Sequence, residues 1–123
     1  MKSYQLKVEK PWGYELIFTP PDSPTVAKLL HLKAGCRFSL QYHEIKEETL
    51  VLVNGRANIF EGEAKEEMRQ NHGYLIIPGL VHRCEAITDC DIFESSTKEE
   101  GTTVRIEDDY MRKDETEEER KLR

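Results

Sequence analysis

The sequence is poor in the features that mark secreted, membrane-spanning or disulfide-bonded proteins. Its three cysteines, Cys36, Cys84 and Cys90, form no Cys-x-x-Cys pair, and their odd number favours buried free thiols in a reducing compartment. A disulfide between Cys84 and Cys90 across a hairpin is the alternative. The longest apolar runs have the length of a strand and are too short for a transmembrane helix. Because residues 1–5 carry no apolar signal region, we expect a cytoplasmic protein.

Positive charge is also scarce. The chain carries 18 lysines and arginines against 24 aspartates and glutamates, a net charge of −6, which argues against nucleic acid or an anionic membrane as its partner. A cationic pocket for phosphate is still compatible with this value, because net charge does not describe a single cleft. The length of 123 residues leaves room for one domain. We assign residues 1–112 to that domain and residues 113–123 to a charged tail, either a solvated helix or disordered.

Apolar residues at helical spacing are absent before residue 110, and short strand-like runs separated by turns are present instead. Strand patterns cover residues 14–19, 26–32, 38–42, 49–53, 57–60, 75–77, 81–87, 90–95 and 102–106. The Asn54-Gly55 pair predicts a hairpin, because both turn positions require a positive φ that these residues tolerate. Many short strands with few helices indicate an all-β fold, either an antiparallel barrel or a sandwich.

A group of polar residues has the spacing of metal ligands. Gln41 and His43 are two apart on a predicted strand and therefore share a face, Glu48 begins the next strand, and His82 enters a distant one. Two imidazoles and a carboxylate suit a divalent metal such as Zn²⁺, Mn²⁺, Fe²⁺ or Ni²⁺, with the Gln41 oxygen as the weakest ligand. Alternatively, Gln41 bonds the barrel interior or holds a metal-bound water, and Glu48 faces solvent.

These residues lie in two segments that resemble the sequence motifs of the cupin superfamily. The first is GCRFSLQYHEIKEETLVLVNG at residues 35–55, and the second is IPGLVH at residues 77–82. The resemblance implies a small antiparallel jelly-roll barrel around one metal site. Ile45 stands where most cupins have a second histidine, and Ile77 replaces the usual proline of the second motif.

A narrower resemblance accounts for the missing histidine. The segments KPWG at residues 10–13, FSLQYH at 38–43 and VRIEDDY at 104–110, together with Lys28 and Arg112, are similar to the cupin domain of type II phosphomannose isomerases. In that family the domain is the C-terminal part of a bifunctional enzyme that also carries a mannose-1-phosphate guanylyltransferase. Phosphomannose isomerases bind zinc through a Gln-x-His pair, a glutamate and a later histidine. The residues of this chain that match the ligand set are Gln41, His43, Glu48 and His82.

The resemblance implies an aldose–ketose isomerase that acts on a sugar phosphate or a nucleotide-linked sugar. Arg105 matches the arginine of the family's last motif, and we expect it to bind phosphate or the enediolate, with Lys28 as the second cation. Both long side chains are equally compatible with an exposed position. This interpretation requires Gln41, Arg105 and Lys28 to line the cavity of the metal.

The sequence also allows two other functions and leads to one expectation about the oligomeric state. Departures from the family at Leu29, Leu80 and residues 95–103 leave the substrate undefined, so a sugar epimerase is one rival. A non-catalytic sugar- or metal-binding cupin, with an occluded or metal-free cavity, is the other. We also expect a homodimer, in which residues 1–9 exchange or pair edge strands.

Overall fold

A computed structural model describes residues 2–122, and within them it contains eleven strands and one short helix. The strands are β1 (Leu6–Lys10), β2 (Gly13–Ile17), β3 (Thr25–Leu32), β4 (Leu40–His43), β5 (Glu48–Asn54), β6 (Ala57–Glu61), β7 (Ala64–Glu67), β8 (Gly73–Ile76), β9 (His82–Ala86), β10 (Cys90–Thr97) and β11 (Thr103–Glu107). The helix is α1 (Glu117–Lys121). The predicted all-β fold class is confirmed. Among these residues there is no helix of the length and apolarity that crossing a bilayer requires.

The strands form two antiparallel sheets. The six-stranded sheet has the order β1-β2-β3-β10-β5-β8, and the five-stranded sheet has the order β11-β4-β9-β6-β7. One core cluster takes side chains from both sheets, for example Leu50 and Ile92 from the first and Ile59 and Cys84 from the second. Because strand side chains alternate between faces, β5 and β10 each contribute every second residue to the interior. Polar residues at those inward positions form the site described below.

The Asn54-Gly55 turn is not the hairpin that the sequence predicts. Strand β5 pairs with β10 and β8, whereas β6 pairs with β7 and β9, so this turn carries the chain from one sheet to the other. Gly55 has φ of +79°, and a Cβ there would lie 2.2 Å from the carbonyl oxygen of Asp89. The backbone at position 55 passes so close to the carbonyl group of Asp89 that there is no room for a side chain, so this turn between the two sheets requires glycine. The hairpin between β6 and β7 turns at Gly62 instead.

Both chain ends pack against the barrel. At the N-terminal end, β1 pairs with β2 of the same chain, in a register that runs from Leu6 opposite Ile17 to Lys10 opposite Gly13. Residues 6–10 are therefore an edge strand of the six-stranded sheet. Near the C-terminus, Thr103 and Glu115 exchange two backbone hydrogen bonds, of 2.9 and 3.0 Å.

The charged segment at residues 113–122 contains a helix, as its composition allows, but one of its side chains is sheltered from solvent. The helix α1 forms, and none of its residues as a whole is buried. The side chain of Arg120, however, is only 8% exposed, because it bonds the Glu115 carboxylate and the carbonyl oxygen of Gly101. Within residues 113–122, the segment therefore contacts the barrel through Glu115 and Arg120.

Candidate functional site

Three of the predicted ligands converge in the barrel interior. His43 at the end of β4, Glu48 at the start of β5 and His82 at the start of β9 each offer one ligand atom, and these atoms lie within 4.8 Å of one another. The exposed fractions of the three residues are 3%, 3% and 0%. The Oε1 atom of Glu48 is 3.1 Å from the Nε2 atoms of both histidines. Two sheets thus contribute to one compact group of two imidazoles and a carboxylate.

The hydrogen bonds around His82 leave a nitrogen lone pair directed at this group. Its Nδ1–H donates to the carbonyl oxygen of Leu80 over 2.9 Å, so the Nε2 atom of the neutral ring carries no proton. Among residues 2–122, the buried His82 Nε2 has no hydrogen-bond partner, and the buried Glu48 Oε2 has only an ion pair with the Lys46 ammonium, 3.3 Å away. Buried electron-rich atoms without donors are costly in a protein interior. A divalent cation bound by these atoms would satisfy them, so the residues fit a metal site.

The charge states of the other two residues also suit a metal. Burial lowers the pKa of His43 to about 4, and the nearby Lys46 ammonium adds to the effect, so the imidazole is neutral at pH 7. Burial raises the pKa of Glu48, but the Lys46 ammonium, 3.3 Å away, is the main cause that holds it well below its usual value. Glu48 is therefore a carboxylate. Neutral imidazole and ionised carboxylate are the forms that bind metal ions.

Gln41 lies next to the three converging residues. It occupies β4 two positions before His43, directly opposite His82 in the neighbouring strand, and it lines the same cavity as His43 and Glu48. Its Oε1 atom accepts a hydrogen bond of 2.6 Å from the Ser39 hydroxyl. The role of Gln41 as a fourth ligand stays a prediction.

The cavity beside the metal group is lined by both predicted cationic residues. Lys28 is buried in β3 and forms ion pairs with Glu15, at 3.3 Å, and with Glu99. Arg105 projects from β11, and its side chain is 11% exposed and lies 3.7 Å from Glu115. Both face the cavity and not solvent. Their roles toward a substrate stay predictions.

The sequence patterns do not identify two further charged residues of the cavity, Lys46 and Glu94. The Lys46 ammonium lies 3.3 Å from Glu48, 3.4 Å from Glu94 and 3.7 Å from Glu99. Burial lowers the pKa of Lys46, but these carboxylates raise it above its usual value. Burial, with the neighbouring Glu48, raises the pKa of Glu94 to about 8.

A sequence signal exists for only one of this pair. In β10, Glu94 has the same strand parity as the inward Ile92 and Ser96, so alternation alone would have placed it in the interior. Lys46 lies in the loop between β4 and β5, where alternation predicts nothing. Its position is evident only from the ion pairs.

Comparison with known proteins agrees with the fold and the motifs. The family model described as mannose-6-phosphate isomerase C-terminal matches residues 1–115. The xanthan biosynthesis protein XanB from two strains of Xanthomonas campestris pv. campestris is 28% identical over 116 residues, which cover 89% of this chain. The match covers 24% of XanB, so this chain spans about a quarter of the length of these curated relatives.

Solved structures with low sequence identity share the fold. KdgF from Halomonas sp. has a TM-score of 0.68 at 14% identity, over 77% of this chain and 86% of that one. A single-residue variant of oxalate decarboxylase from Bacillus subtilis has a TM-score of 0.67 at 16% identity, over 77% and 28%. A cupin superfamily protein from Desulfitobacterium hafniense has a TM-score of 0.61 at 11% identity, over 68% and 74%. The fold is that of a cupin, and the chain belongs to the mannose-6-phosphate isomerase C-terminal family.

Proposed function

We propose that the protein is a metal-dependent aldose–ketose isomerase that acts on a sugar phosphate or a nucleotide-linked sugar, with the C6-phosphorylated aldose mannose 6-phosphate as the first substrate to test. The observation that carries the proposal is that Gln41, Lys28 and Arg105 line the same cavity as His43 and Glu48. A family whose description is mannose-6-phosphate isomerase C-terminal supports the same substrate class. The similarity to XanB adds a relative named for xanthan biosynthesis.

His43, Glu48 and His82, with Gln41 as a fourth ligand, would hold the metal, and Zn²⁺ suits this donor set best, with Mn²⁺, Fe²⁺ and Ni²⁺ as alternatives. When bound, the metal supplies polarisation of a substrate carbonyl or hydroxyl oxygen. Trp12, Leu30 and Phe38 form an apolar part of the cavity wall. Exclusion of water by this wall strengthens the electrostatic contacts that the polar residues make.

The isomerisation moves a proton between adjacent carbons, which requires an acceptor in the cavity. We assign this role to Glu94, whose side chain lines the cavity and is not one of the converging metal ligands. Because its pKa is raised to about 8, it accepts a proton in its ionised fraction, which grows as pH rises toward and above 8. It is 4% exposed, and its Oε2 atom accepts a hydrogen bond from Lys46. The contact with Lys46 fixes the carboxylate in one orientation. Arg105 and Lys28 then stabilise the anionic groups of the substrate and of the enediolate.

The decisive experiment is an assay of the metal-loaded protein for interconversion of mannose 6-phosphate and fructose 6-phosphate. We expect turnover that chelation abolishes and that added Zn²⁺ or Mn²⁺ restores, and a His82→Ala variant that stays inactive with added metal. An Arg105→Ala variant should keep its metal and lose activity by about ten- to a hundredfold. Absence of turnover with every aldose and ketose phosphate tested would refute the proposal.

A non-catalytic sugar-binding cupin is the second candidate, and Ile45 favours it. This residue stands in place of the usual second histidine, and its side chain is 55% exposed, so it adds no ligand to the site. Binding of a sugar phosphate without turnover, measured by calorimetry on the metal-loaded protein, would support this candidate.

We further propose a cytoplasmic homodimer. Three apolar side chains, Val53, Leu75 and Ile77, are 43%, 53% and 51% exposed on or beside the neighbouring strands β5 and β8. A second copy of the chain would cover them, since exposed apolar groups of this size are typical of interfaces. Light scattering with size-exclusion chromatography tests the proposal, and a monomer at micromolar concentration would refute it.

A further inference from the structure

Three cationic side chains converge on the carboxylate of Glu115. Lys10 at the end of β1 places its ammonium 3.4 Å from Glu115 Oε2, and Arg105 in β11 places Nη2 3.7 Å from the same atom. Arg120 in α1 donates from Nη1 to Glu115 Oε1 over 3.1 Å. Their side chains are 12%, 11% and 8% exposed, so three distant parts of the sequence meet around a single anion in a sheltered place.

The cations of this cluster have donor capacity that Glu115 does not use. In the described part of the chain, the buried Nε atoms of Arg105 and Arg120 have no hydrogen-bond partner. More distant ion pairs connect Lys10 to Glu15 at 3.8 Å and Arg120 to Glu99 at 3.6 Å. One carboxylate has two oxygens to offer three cations, whereas a phosphate group has three and carries more negative charge. The cluster is thus better matched to a phosphate than to the carboxylate it holds.

Most of the cluster belongs to the substrate cavity, whereas Arg120 lines the adjoining pocket, which shares Lys28 and Glu99 with it. Lys10, Arg105 and Glu115 line the same cavity as His43 and Glu48. Burial and, after it, the Arg112 guanidinium lower the pKa of Arg105, whereas the Glu115 carboxylate raises it. Arg105 is therefore a desolvated cation that needs an anion beside it, and a phosphate can supply one in place of Glu115.

We propose that Lys10, Arg105 and Arg120 form a phosphate-binding subsite, and that the Glu115 carboxylate occupies it as an internal counter-ion until the phosphate of the substrate displaces it. The identity of the ligand rests on the proposed function, in which the substrate is a phosphorylated sugar. The backbone of Glu115 is bonded in both directions to Thr103, so displacement moves the side chain and leaves the segment in place. Glu115 thereby acts as a competitor that tunes affinity for anionic substrates.

Calorimetry with inorganic phosphate on the full-length, metal-free protein tests the subsite without sugar or turnover. Glu115→Gln keeps the side-chain shape and removes the competing charge, so phosphate should bind about tenfold more tightly. Glu118→Gln changes the net charge equally at an exposed position of α1, three residues after Glu115, and it should leave the affinity unchanged. Lys10→Met should weaken phosphate binding about tenfold, and this variant remains informative if Arg120→Met unfolds.

The proposed subsite and the proposed isomerase activity can be refuted independently of each other. Tighter phosphate binding by Glu115→Gln, in a protein that isomerises no sugar phosphate, would support the subsite and refute the proposed reaction. Three results would overturn the subsite, whatever the isomerase activity. They are unchanged or weaker phosphate binding by Glu115→Gln, an equal gain in phosphate affinity by Glu118→Gln, and no phosphate binding by any variant at millimolar concentration.

Discussion

The hydroxyl of Thr103 lies 2.9 Å from Nδ1 of His43, on the side of the imidazole away from Glu48. When the hydroxyl accepts from Nδ1–H, the Nε2 atom is left as a lone pair for a metal ion. Such contacts behind a ligand orient its ring and select its tautomer. The backbone of Thr103 is paired with Glu115, so a single residue connects the metal group to the C-terminal segment.

Replacement of Thr103 by valine should weaken metal binding without unfolding the protein. Valine keeps the shape of the side chain and removes the hydroxyl, and loss of a contact behind a metal-binding histidine typically costs about 10- to 100-fold in affinity. Competition with a chromogenic chelator measures the change. Thr103→Ser retains the hydroxyl and should restore most of the affinity. Equal affinities for the valine and serine variants would show that the contact has no orienting role.

The predicted ligands should differ in strength. His82→Ala removes an imidazole whose Nε2 has no hydrogen-bond partner within residues 2–122, and we expect no measurable Zn²⁺ binding. Gln41→Ala removes a neutral amide oxygen that already accepts a bond from Ser39, and we expect weaker but detectable binding. Titration of both variants with Zn²⁺ gives the comparison, and similar losses would contradict this order.

The strands in the barrel interior could be predicted because burial imposes alternation on them. Strands β3, β5, β9 and β10 all overlap predicted runs, since one face of each packs in the core. Strand β7 could not be predicted because all four of its residues are exposed, and an exposed strand has no apolar pattern. The assignment of the Asn54-Gly55 turn to a hairpin was wrong. The two residues predict the backbone angles of the turn, but they do not determine which sheet the next strand joins.

The metal group follows from spacing in the sequence, whereas the charge network around it does not. His43, Glu48 and His82 lie in motifs that set their position relative to turns and strands. Lys46 and Glu115 reach the cavity from a loop and from the charged C-terminal segment. Charged residues in such segments are usually solvated, and only tertiary contacts distinguish these two from their neighbours.

The buried cysteines should resist modification in the folded protein. Burial raises the pKa of Cys84 well above its usual value and that of Cys90 to about 11, where Asp91 adds to the effect. The thiolate is the reactive form, so at pH 8 only the half-buried Cys36 should react quickly with a disulfide reagent such as DTNB. All three should react in denaturant. Rapid reaction of more than one thiol in the native protein would contradict the described packing.

The pH dependence of stability should reveal the environment of Glu94. Its folded pKa of about 8 lies above the ordinary value of 4.5, so between these values the folded protein binds more protons than the unfolded chain. The contribution of Glu94 to the free energy of unfolding therefore falls as pH rises from 5 to 8, on the order of 1 kcal/mol or less per pH unit. Glu94→Gln cannot titrate and should lack this component.

Urea unfolding of the metal-free wild type and of Glu94→Gln, at several pH values in that range, measures the difference directly. The stability of the wild type relative to the variant should decrease steadily as pH rises. Glu99→Gln is a useful comparison, because Glu99 also contacts Lys46 but its side chain is 15% exposed against 5% for Glu94. It should not reproduce the trend, because Lys28 and Arg120 also pair with the Glu99 carboxylate and favour its ionised form. A difference between wild type and Glu94→Gln that stays constant with pH would mean that Glu94 is ionised throughout, with Lys46 as a sufficient counter-ion.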